Sequence, residues 1–128
     1  MKTKEQIIKS RPVYLHDWSE SKRFGVIGDF EGSSTKGALD KHKDEKILFA
    51  TYTYACYSGD AWVLFEKGGN LFEVNGSHCS CYGLEDQWAP EEVSLKQLEN
   101  RLTKGTFGTD SDDIYEFKNE LMKFLGIK

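Results

Sequence analysis

Two cysteines, a histidine and two glycines lie within the ten residues Val74-Asn75-Gly76-Ser77-His78-Cys79-Ser80-Cys81-Tyr82-Gly83. Imidazole and thiolate are the usual donors to zinc, and Cys56 brings the candidate ligands to four: His78, Cys79, Cys81 and Cys56. The spacing works against that chemistry. Structural zinc sites separate paired thiolates by at least two residues so that the backbone wraps the ion, whereas only Ser80 stands between Cys79 and Cys81. In an extended segment the two cysteines share one face and His78 takes the other. Nucleophilic catalysis meets a similar obstacle. A thiolate needs its base within hydrogen-bond reach, adjacent residues rarely achieve that geometry, and Asp60, Glu73 or Glu85 would have to orient the imidazole. His16 and His42 are alternative bases, although His42 sits in the run Asp40-Lys41-His42-Lys43-Asp44, which reads as a solvated surface. Cysteines acting as small buried apolar side chains account for the pattern more simply. No catalytic residue is assigned and no cofactor is implied, zinc being the one metal that this donor set would take.

Other chemistry is thinner. Gly76 and Gly83 supply backbone N–H groups of the kind that cradle phosphate, but the chain has no GxxxxGK[ST] and no strand-glycines-helix order around Gly25 to Gly28 or Gly68-Gly69. Asn75-Gly76 is itself a turn signal. Carboxylates gather at Glu85-Asp86, at Glu91-Glu92 and along residues 110–116, where they either favour helix starts or meet a basic partner. Tyr82 and Trp88 stand next to the first of these pairs, and both residue types are enriched at interfaces. The candidate recognition set is therefore Tyr82, Glu85, Asp86 and Trp88, with Asp60 as a further carboxylate.

The whole composition narrows the classes. A chain of 128 residues with 38% hydrophobic and 30% charged residues suits one soluble domain over residues 1–128 that needs no metal or disulfide staple. A formal charge of −4 argues against a general nucleic-acid binder, which needs a basic surface to release counterions, while leaving room for a small basic patch. Three cysteines are an odd number for a framework of paired bridges, so reduced thiols in a cytoplasm are expected. The N-terminus is polar where a signal peptide turns apolar, and the longest apolar runs are too short to span a bilayer.

The elements that position these residues follow from local pattern. Thr3 and Gln6 form a capping box before a short helix carrying Ile7 and Ile8, which Arg11-Pro12 stops. Residues 13–27 suggest extended pieces, and residues 28–44, rich in glycine, serine and charge, read as a surface loop. Residues 46–57, 61–66 and 71–74 are dense in β-branched and aromatic side chains and predict three strands. Ser58-Gly59-Asp60 is the expected turn between the first two, and Gly68-Gly69 between the second and third. Val63 and Phe65 alternate with Trp62 and Leu64, so both faces of the sheet are apolar and need cover. The C-terminal third is expected to provide it. Ser94 and Gln97 make a second capping box ahead of Leu95, Leu98 and Leu102, and Ile114, Phe117, Leu121, Phe124 and Leu125 form a broader helical stripe ending near Gly126. The fold class is α+β: an antiparallel meander of three to five strands packed against C-terminal helices, with a short N-terminal helix.

The run YSGDAWVLFE from Tyr57 to Glu66, continued by LFEVNGSHCSCYGLE from Leu71 to Glu85, Gln87-Trp88, Pro90-Glu91-Glu92, Leu98-Glu99-Asn100-Arg101-Leu102 and Gly105-Thr106-Phe107-Gly108, resembles a family of small uncharacterised proteins of tailed bacteriophages and related mobile elements. The likeness continues loosely into the closing helix, while residues 28–44 vary in length. The resemblance carries no catalytic residue and no cofactor. It implies a setting, the cytoplasm of an infected bacterium, and a small accessory protein that binds and inhibits a host protein, such as a CRISPR effector or another defence component. Two alternatives from other classes are a small metal- or thiol-dependent enzyme built on His78, Cys79 and Cys81, and a protein that captures a nucleotide signal in an aromatic pocket.

Overall fold

The computed structural model describes residues 2–16, 18–31, 41–55, 58–78, 84, 87–103 and 112–127. Along the chain these form α1 (Lys4–Lys9), β1 (Val13–His16), α2 (Lys22–Glu31), β2 (Lys46–Ala55), β3 (Ser58–Lys67), β4 (Asn70–His78), β5 (Glu91–Glu92), α3 (Leu95–Thr103) and α4 (Asp112–Leu125). The architecture is α+β. Its sheet has five strands in the order β1-β2-β3-β4-β5, antiparallel throughout except that β1 runs parallel to β2. No described helix is long and apolar enough to cross a membrane.

The β3–β4 hairpin forms as its sequence demands. Lys67 pairs with Asn70, and the two residues between them, Gly68 and Gly69, have φ of 62° and 87°. Positive φ at both positions is the type I′ geometry whose twist matches that of the flanking strands. The other expected turns are strand instead. Ser58, Gly59 and Asp60 pair with Ala55, Tyr54 and Thr53. Gly59 and Asp60 are also paired with β4 on their other side, so the ladder outweighs local turn preference. Asn75 and Gly76 likewise continue β4 opposite Trp62 and Ala61. Gly76 is needed there for room: a Cβ at this position would lie 3.0 Å from Leu84 and 3.2 Å from the Phe30 ring.

Both sheet faces are covered, by different parts of the chain. Trp62, Leu64 and Leu71 face α1, α3 and α4, burying Ile7, Leu98, Leu102, Leu121 and Leu125. Val63, Phe65 and Val74 face the other way onto Trp18, Val26, Phe30 and Leu84. A register shift between Ile47 and Phe49 turns both Leu48 and Phe49 toward the first layer, while Ile47 joins the second. The C-terminal helices thus cover one face only.

The second cover is α2, where an extended piece followed by a loop was expected. Val26, Ile27 and Phe30 have helical spacing and are buried, but Gly25 and Gly28 lower the intrinsic propensity enough to obscure the pattern. Tertiary contact supplies what propensity lacks. Trp18, fully buried, donates its indole N–H to Asp29 of α2 at 2.7 Å and packs on Phe30.

The helix ends match their sequence signals. Thr3 accepts from the Gln6 backbone at 3.2 Å while Gln6 Oε1 accepts from the Thr3 backbone at 2.9 Å, and Ser94 with Gln97 repeats the device at 3.1 and 2.8 Å. At the end of α4, Gly126 has φ 78°; Ile127 N–H reaches Met122 O at 2.9 Å and Gly126 N–H reaches Lys123 O at 3.2 Å, the two bonds of a Schellman motif.

Gly69→Ala places a Cβ in the left-handed region and is expected to lower unfolding free energy by about 1–2 kcal/mol, whereas Gly68→Asn costs less because Asn tolerates that region. Urea unfolding of the two variants beside the wild type provides the comparison.

Candidate functional site

Asp60 lies in β3 opposite Thr53 and Ser77, and His78 ends β4 opposite Gly59. Cys56, Cys79, Cys81, Tyr82, Glu85 and Asp86 lie outside the described residues, and with them all three thiols and three of the five recognition candidates. Among the described residues no three His, Cys, Asp or Glu side chains are placed to hold a metal ion. Trp88 is described. It is partly buried, stacked on Phe65 with ring centroids 5.4 Å apart, and edge-on to Phe30 and His42 at 5.0 Å each. With Leu84, buried at 1% exposure, it pins the chain on either side of the Glu85-Asp86 pair.

His42 differs most from its sequence expectation. Read as solvated because of its charged neighbours, it is only 3% exposed. Its Nδ1 is 2.7 Å from Glu45 Oε1, its Nε2 is 2.6 Å from Glu31 Oε1, and its ring edge meets Trp88. Arg23 of α2 donates to the main-chain oxygens of both His42 and Glu45, so the turn ahead of β2 is bound to the helix through backbone as well as side chains. Burial of the imidazole is tolerated because both its nitrogens have polar partners. The His42 hydrogen bond is the main reason that the Glu31 carboxyl titrates below its ordinary value; partial burial opposes it and Lys41, 3.3 Å away, assists. The His42-x-x-Glu45 spacing was visible in the sequence as a possible helical-turn pair, but Glu31, eleven residues from His42, carried no local signal.

A second polar cluster sits on the opposite face at the β4–β5 edge. Glu73 is 6% exposed; its Oε1 accepts from Trp62 Nε1 at 3.1 Å and Asn75 Nδ2 at 3.3 Å, and its Oε2 accepts from Arg101 of α3 at 2.6 Å. Burial pushes its pKa up, but the hydrogen bonds and charge of Arg101, together with Trp62 and Asn75, more than offset this and hold it below the usual value of 4.5. Glu73, Glu91, Glu92, Val93, Gln97, Asn100 and Arg101 line an open cleft of about 440 Å³. Glu91 pairs directly with Glu73 across the strands and both β5 glutamates are exposed, so among the described residues the cleft is lined by three carboxylates and one guanidinium. Sequence reading placed Glu91 and Glu92 in an acidic cluster but missed Arg101, whose only signal is its position three residues beyond Leu98 on the margin of the buried stripe.

No known protein family, no curated protein and no solved structure matches this chain. The phage-family likeness therefore rests on the motif in the sequence.

Because the folded-state pKa of Glu73 is depressed, its stabilising contribution is complete above about pH 4.5 and is lost as pH falls through the lower folded-state value. Glu73→Ala also removes the carboxylate that accepts from the Trp62 indole N–H, a loss of about 1–3 kcal/mol. Urea midpoints measured from pH 7 down to about pH 3 are expected to fall less steeply in Glu73→Gln than in the wild type. Equal slopes would show that Glu73 carries none of the acid sensitivity.

Proposed function

We propose that this chain is a small phage-type accessory protein that acts by binding, engaging a basic surface of a host protein, with a host defence component as the target class. The observation that carries the reading is the acidic cleft at the β4–β5 edge, where exposed Glu91 and Glu92 stand beside Glu73 and Arg101, the one cation among the described residues that line it. Arg101 is already engaged by Glu73 at 2.6 Å, so the unneutralised charge of the cleft is negative and favours a lysine or arginine side chain from outside. Its amide groups, Gln97 and Asn100, suit the donors and acceptors of a peptide.

The sequence supplies the second support. Glu85 and Asp86 fall between two anchored side chains, Leu84 and Trp88, and the net charge of −4 gives the molecule the same sign as the cleft. Asp60 and Tyr82 are further candidates from the sequence. Such contacts form at the rim of an interface, steer association and weaken as salt shortens the screening length from about 8 Å at physiological strength to about 3 Å at 1 M.

The test is affinity capture from bacterial lysate with the wild type, with Glu91→Lys/Glu92→Lys and with Glu85→Lys/Asp86→Lys. A stoichiometric host protein retained by the wild type, released by about 1 M salt and lost in at least one charge-reversed pair supports the proposal. Retention that ignores both reversals, or a phage whose growth is unchanged by them, overturns it.

A further inference from the structure

The two contacts of His42 require counting protons. Carboxylate oxygens lie 2.7 Å from Nδ1 and 2.6 Å from Nε2, and neither distance is sustained between two lone pairs. Each contact therefore needs a proton between its heavy atoms. A neutral imidazole carries one N–H and one lone pair, so it satisfies one carboxylate and repels the other. The second proton must be bound within the triad, on the ring as imidazolium or on the facing glutamate.

The surroundings favour retaining it. His42 is 3% exposed and Glu45 is 8% exposed, with Glu45 Oε2 buried and lacking a hydrogen-bond partner among the described residues, so an ionised Glu45 beside a neutral ring would leave uncompensated charge in a poorly solvated place. The charged groups facing the triad among the described residues are Glu31 and Arg23 from α2, and Lys41 and Glu45 from the turn itself; Trp88 is the contact from the third side. Arg23 is directed to main-chain oxygens, and Lys41 touches Glu31 while remaining 67% exposed, so neither replaces a proton between His42 and Glu45. The carboxylates occupy opposite ring nitrogens and converge on no common point for a cation.

We propose that Glu31, His42 and Glu45 form a two-proton clamp that seats Trp88, and that loss of the second proton at alkaline pH loosens Trp88 and the chain segment it anchors. The coupling runs through one ring contact. His42 presents its edge to Trp88 at 5.0 Å and 70°, while Trp88 in turn stacks on Phe65 and meets Phe30, so a shift of the imidazole is felt by the side chain that closes this layer. The clamp contributes at neutral pH. It is lost on the alkaline side when the second proton leaves, and on the acid side when the glutamates are protonated. It is independent of what the protein binds.

Nitrogen-15 NMR of the histidine rings, recorded with the Trp88 indole resonance from about pH 6 to pH 10, tests both halves of the proposal. The expected result is two protons in the triad at neutral pH, one lost on raising the pH, and a Trp88 shift with the same midpoint. Glu31→Gln, at a side chain 20% exposed, is expected to keep the fold and move both midpoints together to lower pH. His42→Gln is expected to abolish the alkaline response of Trp88. A single proton in the triad at neutral pH overturns the clamp, and a Trp88 resonance that fails to follow the Glu31→Gln shift overturns the coupling even if His42→Gln does not fold.

Discussion

A sheet that is apolar on both sides has to be covered twice, and nearly every other feature of this molecule follows from that requirement. Trp62 and Leu64 face one layer while Val63 and Phe65 face the other, so removing either cover would expose large side chains from the middle strand. The chain divides the work between its parts. α1, α3 and α4 close one side, and α2 with Trp18, Leu84 and Trp88 closes the other. β1 sits between these duties, its Val13 and Leu15 packing into the first layer and Tyr14 into the second.

Covering both faces also brings polar groups under the helices, where each must be satisfied locally. The two layers solve this in different ways. On the C-terminal side Glu73 is paired with a guanidinium and two neutral donors, so its negative charge is compensated without a bound proton. On the α2 side a histidine lies between two glutamates, one within 2.7 Å of each ring nitrogen. Both arrangements join elements distant in sequence. Glu73 links β4 to α3, and His42 links α2 to the turn before β2.

The same geometry separates surface from framework among the aromatic residues. Trp18 and Trp62 are buried, and each has its indole N–H bonded to a carboxylate, Asp29 and Glu73 respectively. Trp88 is partly buried against three rings, which makes it first a closing piece for the second layer. The exposed chemistry that stands clear of these packing duties is the acidic pair of β5, at the edge of the sheet beside an open cleft.

Local sequence determined what depends on near neighbours. The Gly68-Gly69 hairpin, the capping boxes at Thr3 and Ser94, the Gly126 helix end and the two-faced alternation of β3 are all set by backbone preference or by residues within a few positions, and all appear as read. Tertiary structure decided the rest, because pairing and burial act over distances that local preference does not sense. It drew Gly59 and Gly76 out of turns and into strands, and made a helix of a glycine-interrupted segment by giving Trp18, Phe30 and Asp29 partners. It buried His42 by placing a glutamate from α2 against its second nitrogen, and it brought Arg101 twenty-eight residues back along the chain to Glu73. Charge could be counted from the residues alone, but which charges neutralise one another was settled only when the sheet acquired both of its covers.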